Sequence, residues 1–180
     1  MDEIITMEHE IIRIRNLVVS ELAKETGTQI TLSDEQDPTA DPPYGYYSVI
    51  SPYVSSGELG SHVQRTAIAP DDGCRYIENI RFEHPEMVMP FNFCSNNDAE
   101  AMQLTMKAAG WLLHEGRSLL SLENIVVLRV GNAASRSGLI GDEYVRRWGF
   151  DVTIRYKALT VRKDEIIQQA RAGRKNQKEA

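Results

Sequence analysis

Between Tyr144 and Val161 the chain reads YVRRWGFDVTIRYKALTV and alternates with a period of two. Tyr144, Trp148, Phe150, Val152, Ile154, Tyr156 and Ala158 share the even positions. Arg147, Asp151, Thr153, Arg155 and Lys157 share the odd ones. A helix would scatter both sets around its axis, whereas a strand separates them onto an apolar and a wet face. The aromatic and β-branched content fits a strand as well. Such a strand needs partners at its edges and a cover for its apolar face, so it predicts a sheet built around it with helices packed on one side. It contains no nucleophile and no metal ligand, which points towards assembly rather than catalysis.

The rest of the chain supplies those pieces. Ile11, Ile14, Val18 and Leu22 recur at helical spacing within residues 7–25, with Gly27 placed to end the helix. Residues 33–43, SDEQDPTADPP, read as an extended acidic connection, and YGYYSVISPYV over 44–54 reads as a strand. Residues 55–72 are small, polar and turn-forming, and predict a protruding loop or hairpin arm. Two strands follow within 74–95, broken near His84-Pro85. In the second, Met87, Met89, Phe91 and Phe93 alternate towards the core, and Pro90 places it at a sheet edge or a bulge. A helix capped by Asn97 runs to about Glu115 and ends at Gly116. Residues 122–130 are apolar on both faces, as an inner strand is. Residues 131–143 form a second long loop, and residues 163–172 a short helix before a basic, frayed end. The expected fold is α+β, a twisted, mainly antiparallel sheet with two helices on one face and long projecting loops. Residues 1–162 form the single domain, and 163–180 its tail.

Composition narrows the function. At 180 residues the chain suffices for one core without disulfides or metal. Cys74 and Cys94 lie in apolar strand-like sequence and read as reduced core thiols. No apolar run approaches the roughly 20 residues needed to cross a membrane, and the acidic N-terminus does not resemble a secretion signal, so a cytoplasmic origin is expected. The net charge of −6 is uneven: residues 1–43 hold ten acids and three bases, residues 162–180 six bases and three acids. Opposite-sign ends suit contacts between neighbouring subunits, and the chain lacks the overall basic balance of a nucleic-acid binder.

No catalytic or metal motif accumulates. The histidines at 9, 62, 84 and 114 are dispersed, neither cysteine has a zinc-type partner, and Gly131 to Ser135 matches no phosphate-binding loop. No cofactor is expected.

Three stretches together carry a family resemblance: the aromatic strand PPYGYYSVIS, the strand-to-helix segment FNFCSNNDAEAMQLTMKAAGWLL, and LENIVVLRVGNAASRSGLIGDEYVRRWGFDVTIRY. With the order of elements over residues 7–160, they resemble the tail-terminator (neck terminator) proteins of tailed bacteriophages. The resemblance implies a structural virion protein, present in the host cytoplasm during assembly. It would form a homo-hexameric ring that caps the tail tube, ends its polymerisation and meets the head-side connector or stopper. In a contractile phage it would also touch the sheath protein. DNA would pass through the ring without sequence-specific binding, and no membrane is involved. Another head–tail joining protein, a stopper or tail-completion factor, is the nearest alternative, and a small cytosolic enzyme a more distant one.

For such a ring, the loop 55–72 offers Glu58, His62 and Arg65 as ring or tube contacts, and the loop 131–143 offers Arg136, Asp142 and Glu143. Arg146, Arg147, Arg155 and Lys157, on or near the wet face of the long strand, are placed to pair with acids on a neighbour.

Overall fold

The computed structural model describes residues 7–33, 41–55, 57, 60–68, 75–140 and 143–165. Its organising element is strand β10 (Glu143–Tyr156). Along one edge β10 pairs antiparallel with β6 (Glu86–Ser95), from Arg146↔Ser95 to Arg155↔Glu86. Along the other edge lie, in turn, β9 (Gly138–Ile140), β8 (Ala134–Ser135) and β7 (Ile125–Val130). β2 (Tyr44–Tyr47) and β3 (Ser51–Val54) share the far edge of β6, and β1 (Ile30–Leu32) adds to β2 in parallel. The sheet is otherwise antiparallel, and the fold is α+β as expected.

The two faces follow the period-two pattern. Phe150, Val152, Ile154 and Tyr156 of β10 are fully buried beside Met87, Met89, Phe91 and Phe93 of β6. Helix α1 (Met7–Thr26) seals them with Ile14, Val18 and Leu22, and helix α2 (Asp98–Leu113) with Ala108 and Leu112. Each such large apolar side chain contributes about 1.5–3 kcal/mol when removed from water. Tyr47, Phe91 and Phe150 form a stack across three strands, with successive ring centroids 5.9 Å apart. Gly27, at φ 70°, closes α1 by donating its N–H to Ala23 O, and Asn97 Oδ1 caps α2 by accepting from Ala99 N.

Several expectations are corrected. The helix expected to end at Gly116 stops at Leu113, and a third helix, α3 (Glu115–Leu122), begins at once. Gly116 lies inside α3, and its glycine serves packing rather than termination, since a Cβ there would press into the Trp111 ring, with Cζ3 at 2.5 Å. β6 is an inner strand despite Pro90, since it has partners on both edges. Pro90 sits beside the break between β2 and β3, where its carbonyl accepts from Ser48 and no ladder bond needs its missing N–H. Conversely, β7 ends the strand order among the described residues, where the doubly apolar run 122–130 is an edge and not an interior strand.

The long alternating stretch is also divided. At Lys157 it leaves the main sheet, and β11 (Ala158–Glu165) joins a separate three-stranded sheet with β5 (Arg75–Glu83) and β4 (Ser61–Ile68). β5 leads directly into β6, and β10 directly into β11. The antiparallel ribbon β6/β10 therefore continues as β5/β11 beyond a hinge-like junction, where Tyr156 N bonds Pro85 O. Within 55–72, expected as a loop or hairpin arm, residues 61–68 form strand β4, an outer strand of this arm. β11 runs to Glu165, so no helix begins at 163, and the remainder of the expected helix lies outside the described residues. The loop 131–143 likewise contains β8 and β9.

Candidate interface surfaces

The candidate contact residues fall into three places. Glu58 and Asp142 lie outside the described residues. On the arm, His62 is exposed opposite Arg81, and Arg65 stands opposite Glu78, which its Nε meets as a hydrogen-bonded ion pair. That contact holds the Glu78 carboxyl below the usual carboxylate range, with the Tyr76 hydroxyl adding a second donor. Arg65 is thus already engaged within its own subunit.

The second group sits on the outer face of the main sheet. Arg136, in the turn between β8 and β9, donates to Asn92 Oδ1 at 3.0 Å and to Asp151 Oδ1 at 2.8 Å. Arg147 donates from Nε to the Arg136 carbonyl at 2.9 Å and from Nη1 to the Tyr46 hydroxyl. Burial raises the Tyr46 hydroxyl pKa, and the Arg147 guanidinium partly offsets this. Gly149 keeps the network close, because a Cβ there would reach Asn92 Oδ1 at 2.5 Å. These two arginines bind the β8–β9 segment onto β10, β6 and β2. Cys94 beside them is a buried free thiol whose pKa burial pushes up, whereas Cys74 lies outside the described residues.

The third group follows the strand. Arg155 donates to Glu86 Oε1 at 2.8 Å, while its Nε is buried without a partner among the described residues. Lys157 stands at the junction with its ammonium 4.8 Å from the Phe82 ring centroid. Arg146 belongs to the even, core-side register and lies over the Tyr144 ring at 5.8 Å. Glu143 opens β10 opposite Ile140. Beyond Arg146 the strand outruns β6, so β9 and the start of β10 project as a hairpin. There Leu139 and Tyr144 face each other in register, 73% and 58% exposed.

Sequence reasoning missed the apolar edge. Val126, Leu128 and Leu139 are exposed along β7 and β9, and Arg129 is exposed between them. A run such as Ile-Val-Val-Leu carries no mark that distinguishes an interior strand from an edge awaiting a cover. No group of three potential metal ligands occurs among the described residues, nor a helix long and apolar enough to cross a membrane. Among the described residues the geometry is that of a sheet with an arm and two open edges. A family model described as phage neck terminator protein matches residues 8–173, whereas a comparison with curated proteins found no match.

Proposed function

The chain belongs to the phage neck terminator family, and on that premise we propose that six copies close into a ring on the finished tail tube. The family is one of structural virion proteins of the neck and tail. The ring halts tube polymerisation, presents its opposite surface to the head-side connector or stopper, and in a contractile phage also meets the last sheath layer. Subunits assemble in the host cytoplasm. Duplex DNA passes through the lumen without sequence-specific contacts, and acidic residues along the lumen would let it pass without adhesion.

The observation that carries this reading is the extent of the match. Residues 8–173 take in both helices of the cover, the main sheet and the arm, so the whole folded body corresponds to the family. The arm adds a physical reason. β11 alone, with its eight residues, spans about 26 Å at the usual rise of a strand, enough to reach across a neighbour. Head-to-tail contacts of this kind close into a ring when the rotation per subunit divides a full turn.

Electron microscopy of the purified chain, alone and mixed with tail tubes, tests the proposal. Six-fold caps at one tube end are expected. A chain that ignores tubes but remains on filled heads would place it with the stoppers instead.

A further inference from the structure

The arm continues the body through two paired strands, and both lose their pairing at the same level. On the body side the ribbon β6/β10 closes with Arg155↔Glu86, whose side chains are bonded at 2.8 Å. On the arm side the ribbon β5/β11 resumes with Ala158↔Glu83. Between these pairs lie His84 and Pro85 on one strand, Tyr156 and Lys157 on the other. The gap is spanned by the backbone bond from Tyr156 N to Pro85 O at 3.1 Å, and Pro85 has no N–H to return one. Such a bond keeps the strands together without fixing the angle at which they leave the sheet, which a continuous ladder would fix. The third crossing, from β3 to β4, carries glycine at 57 and 60, both at positive φ, the residue type with the greatest backbone freedom.

The two flanks of this junction differ. On the β3 flank the Tyr53 hydroxyl donates to Glu83 Oε2 at 3.0 Å, so a strand of the body holds the last residue of β5. Arg81 engages the other oxygen of Glu83, and the Pro52 carbonyl beside Tyr53 accepts from the buried Tyr156. On the β7 flank a cleft opens instead. Glu10 and Arg13 of α1, Glu123 and Asn124 before β7, and Lys157 and Leu159 at the root of the arm line it. Arg13 directs its guanidinium to Glu10 and Glu123, at 2.7 and 3.1 Å, both on the body side. Lys157 turns its ammonium to Phe82, on the arm side.

We infer that the arm pivots at His84-Pro85 and Tyr156-Lys157, and that the Tyr53–Glu83 hydrogen bond is the latch that holds it away from α1. Without the latch the arm leans towards the β7 flank, where the cleft leaves room, whereas Tyr53 occupies the other flank. Tyr53 is exposed, so water competes for the bond and the latch opens without unfolding either sheet. For a subunit that joins others in a ring, an arm held in one orientation lowers the ordering cost of the contact. The pivot is a property of the free chain and does not depend on the ring reading.

Double electron–electron resonance on the full chain tests this, with nitroxide labels at Ser121→Cys beside the cleft and Thr66→Cys on β4, both exposed positions. A Cys74→Ser background leaves Cys94 as the remaining native thiol, and it is buried. With Tyr53 in place one dominant distance is expected. Tyr53→Phe should lower the ratio of that distance to a second, shorter one by about fivefold, the equilibrium equivalent of one ordinary hydrogen bond, with melting unchanged. Glu83→Ala should act in the same direction, and adding Tyr53→Phe to it should change nothing further, because both remove the same bond. Unchanged distances in Tyr53→Phe, or additive effects of the two substitutions, would overturn the latch. A second distance longer than the first would overturn the direction of the pivot. Failure to form rings on tail tubes would count against the ring reading alone, since these distances are read in the free subunit.

Discussion

Tyr156 shows what a single residue does for this fold. It is fully buried at the last core position of β10, and its hydroxyl donates to the Pro52 carbonyl at 3.0 Å, tying β10 to the start of β3. Loss of water raises its pKa to about 12. The neutral form is therefore the one the fold accepts. Its contribution is complete below the unfolded tyrosine value of roughly 10 and is lost as pH rises from there towards about 12. Tyr156→Phe should cost about 1 kcal/mol at pH 7 through the lost hydrogen bond. It should also flatten the fall in melting temperature above pH 10, and calorimetric scans from pH 7 to 11.5 would measure both effects. A wild type and variant with parallel alkaline limbs would show that Tyr156 ionises as freely in the folded as in the unfolded chain. The burial of Tyr156 is legible from its even position, but its partner is not, since Pro52 lies 104 residues away. The same limit applies to Arg136 and Arg147. Their charges invite an external partner, while Asp151, Asn92 and Tyr46 become neighbours only once three strands align.

Elements were readable where their signal is local. The stripe of β6, the stripe of β10 from Phe150 to Tyr156, and Ile14, Val18 and Leu22 of α1 are buried as periodicity assigns them, whereas Tyr144, at the projecting start of β10, is exposed. What failed was non-local. β7 and β6 exchange their expected roles because edge or interior is fixed by strand order, which no local pattern encodes. β4, SHVQRTAI, has too little alternation to announce a strand, and it becomes one by pairing with β5 from Ser61↔Phe82 to Ile68↔Arg75. The same contrast predicts local stability. β6 is bonded on both edges and lies over the aromatic core, whereas β4 is paired on one edge and almost wholly exposed. Opening β6 should require global unfolding, and opening β4 only the loss of one ladder. In the free subunit, hydrogen exchange at the bonded amides of β4 should be at least about a hundredfold faster than at those of β6. Equal protection in both strands would mean that the arm and the main sheet open as one unit.

For the whole molecule, net charge opposes the meeting of copies. Each chain carries a net charge of −6, so approaching copies repel at long range. Screening decides how far that repulsion reaches. At 0.01 M ionic strength the Debye length is roughly 30 Å, so charges over most of the neighbouring subunit contribute. At 0.15 M it is about 8 Å, and only charges close to the contact are felt. If copies meet in a ring on the tail tube as proposed, their association rate should therefore rise as salt increases from about 0.01 M to about 0.15 M. Light scattering of ring assembly across a sodium chloride series would record this profile. A rate that falls over that range would mean that attraction between opposite charges at the contact, and not the net charge, governs the encounter.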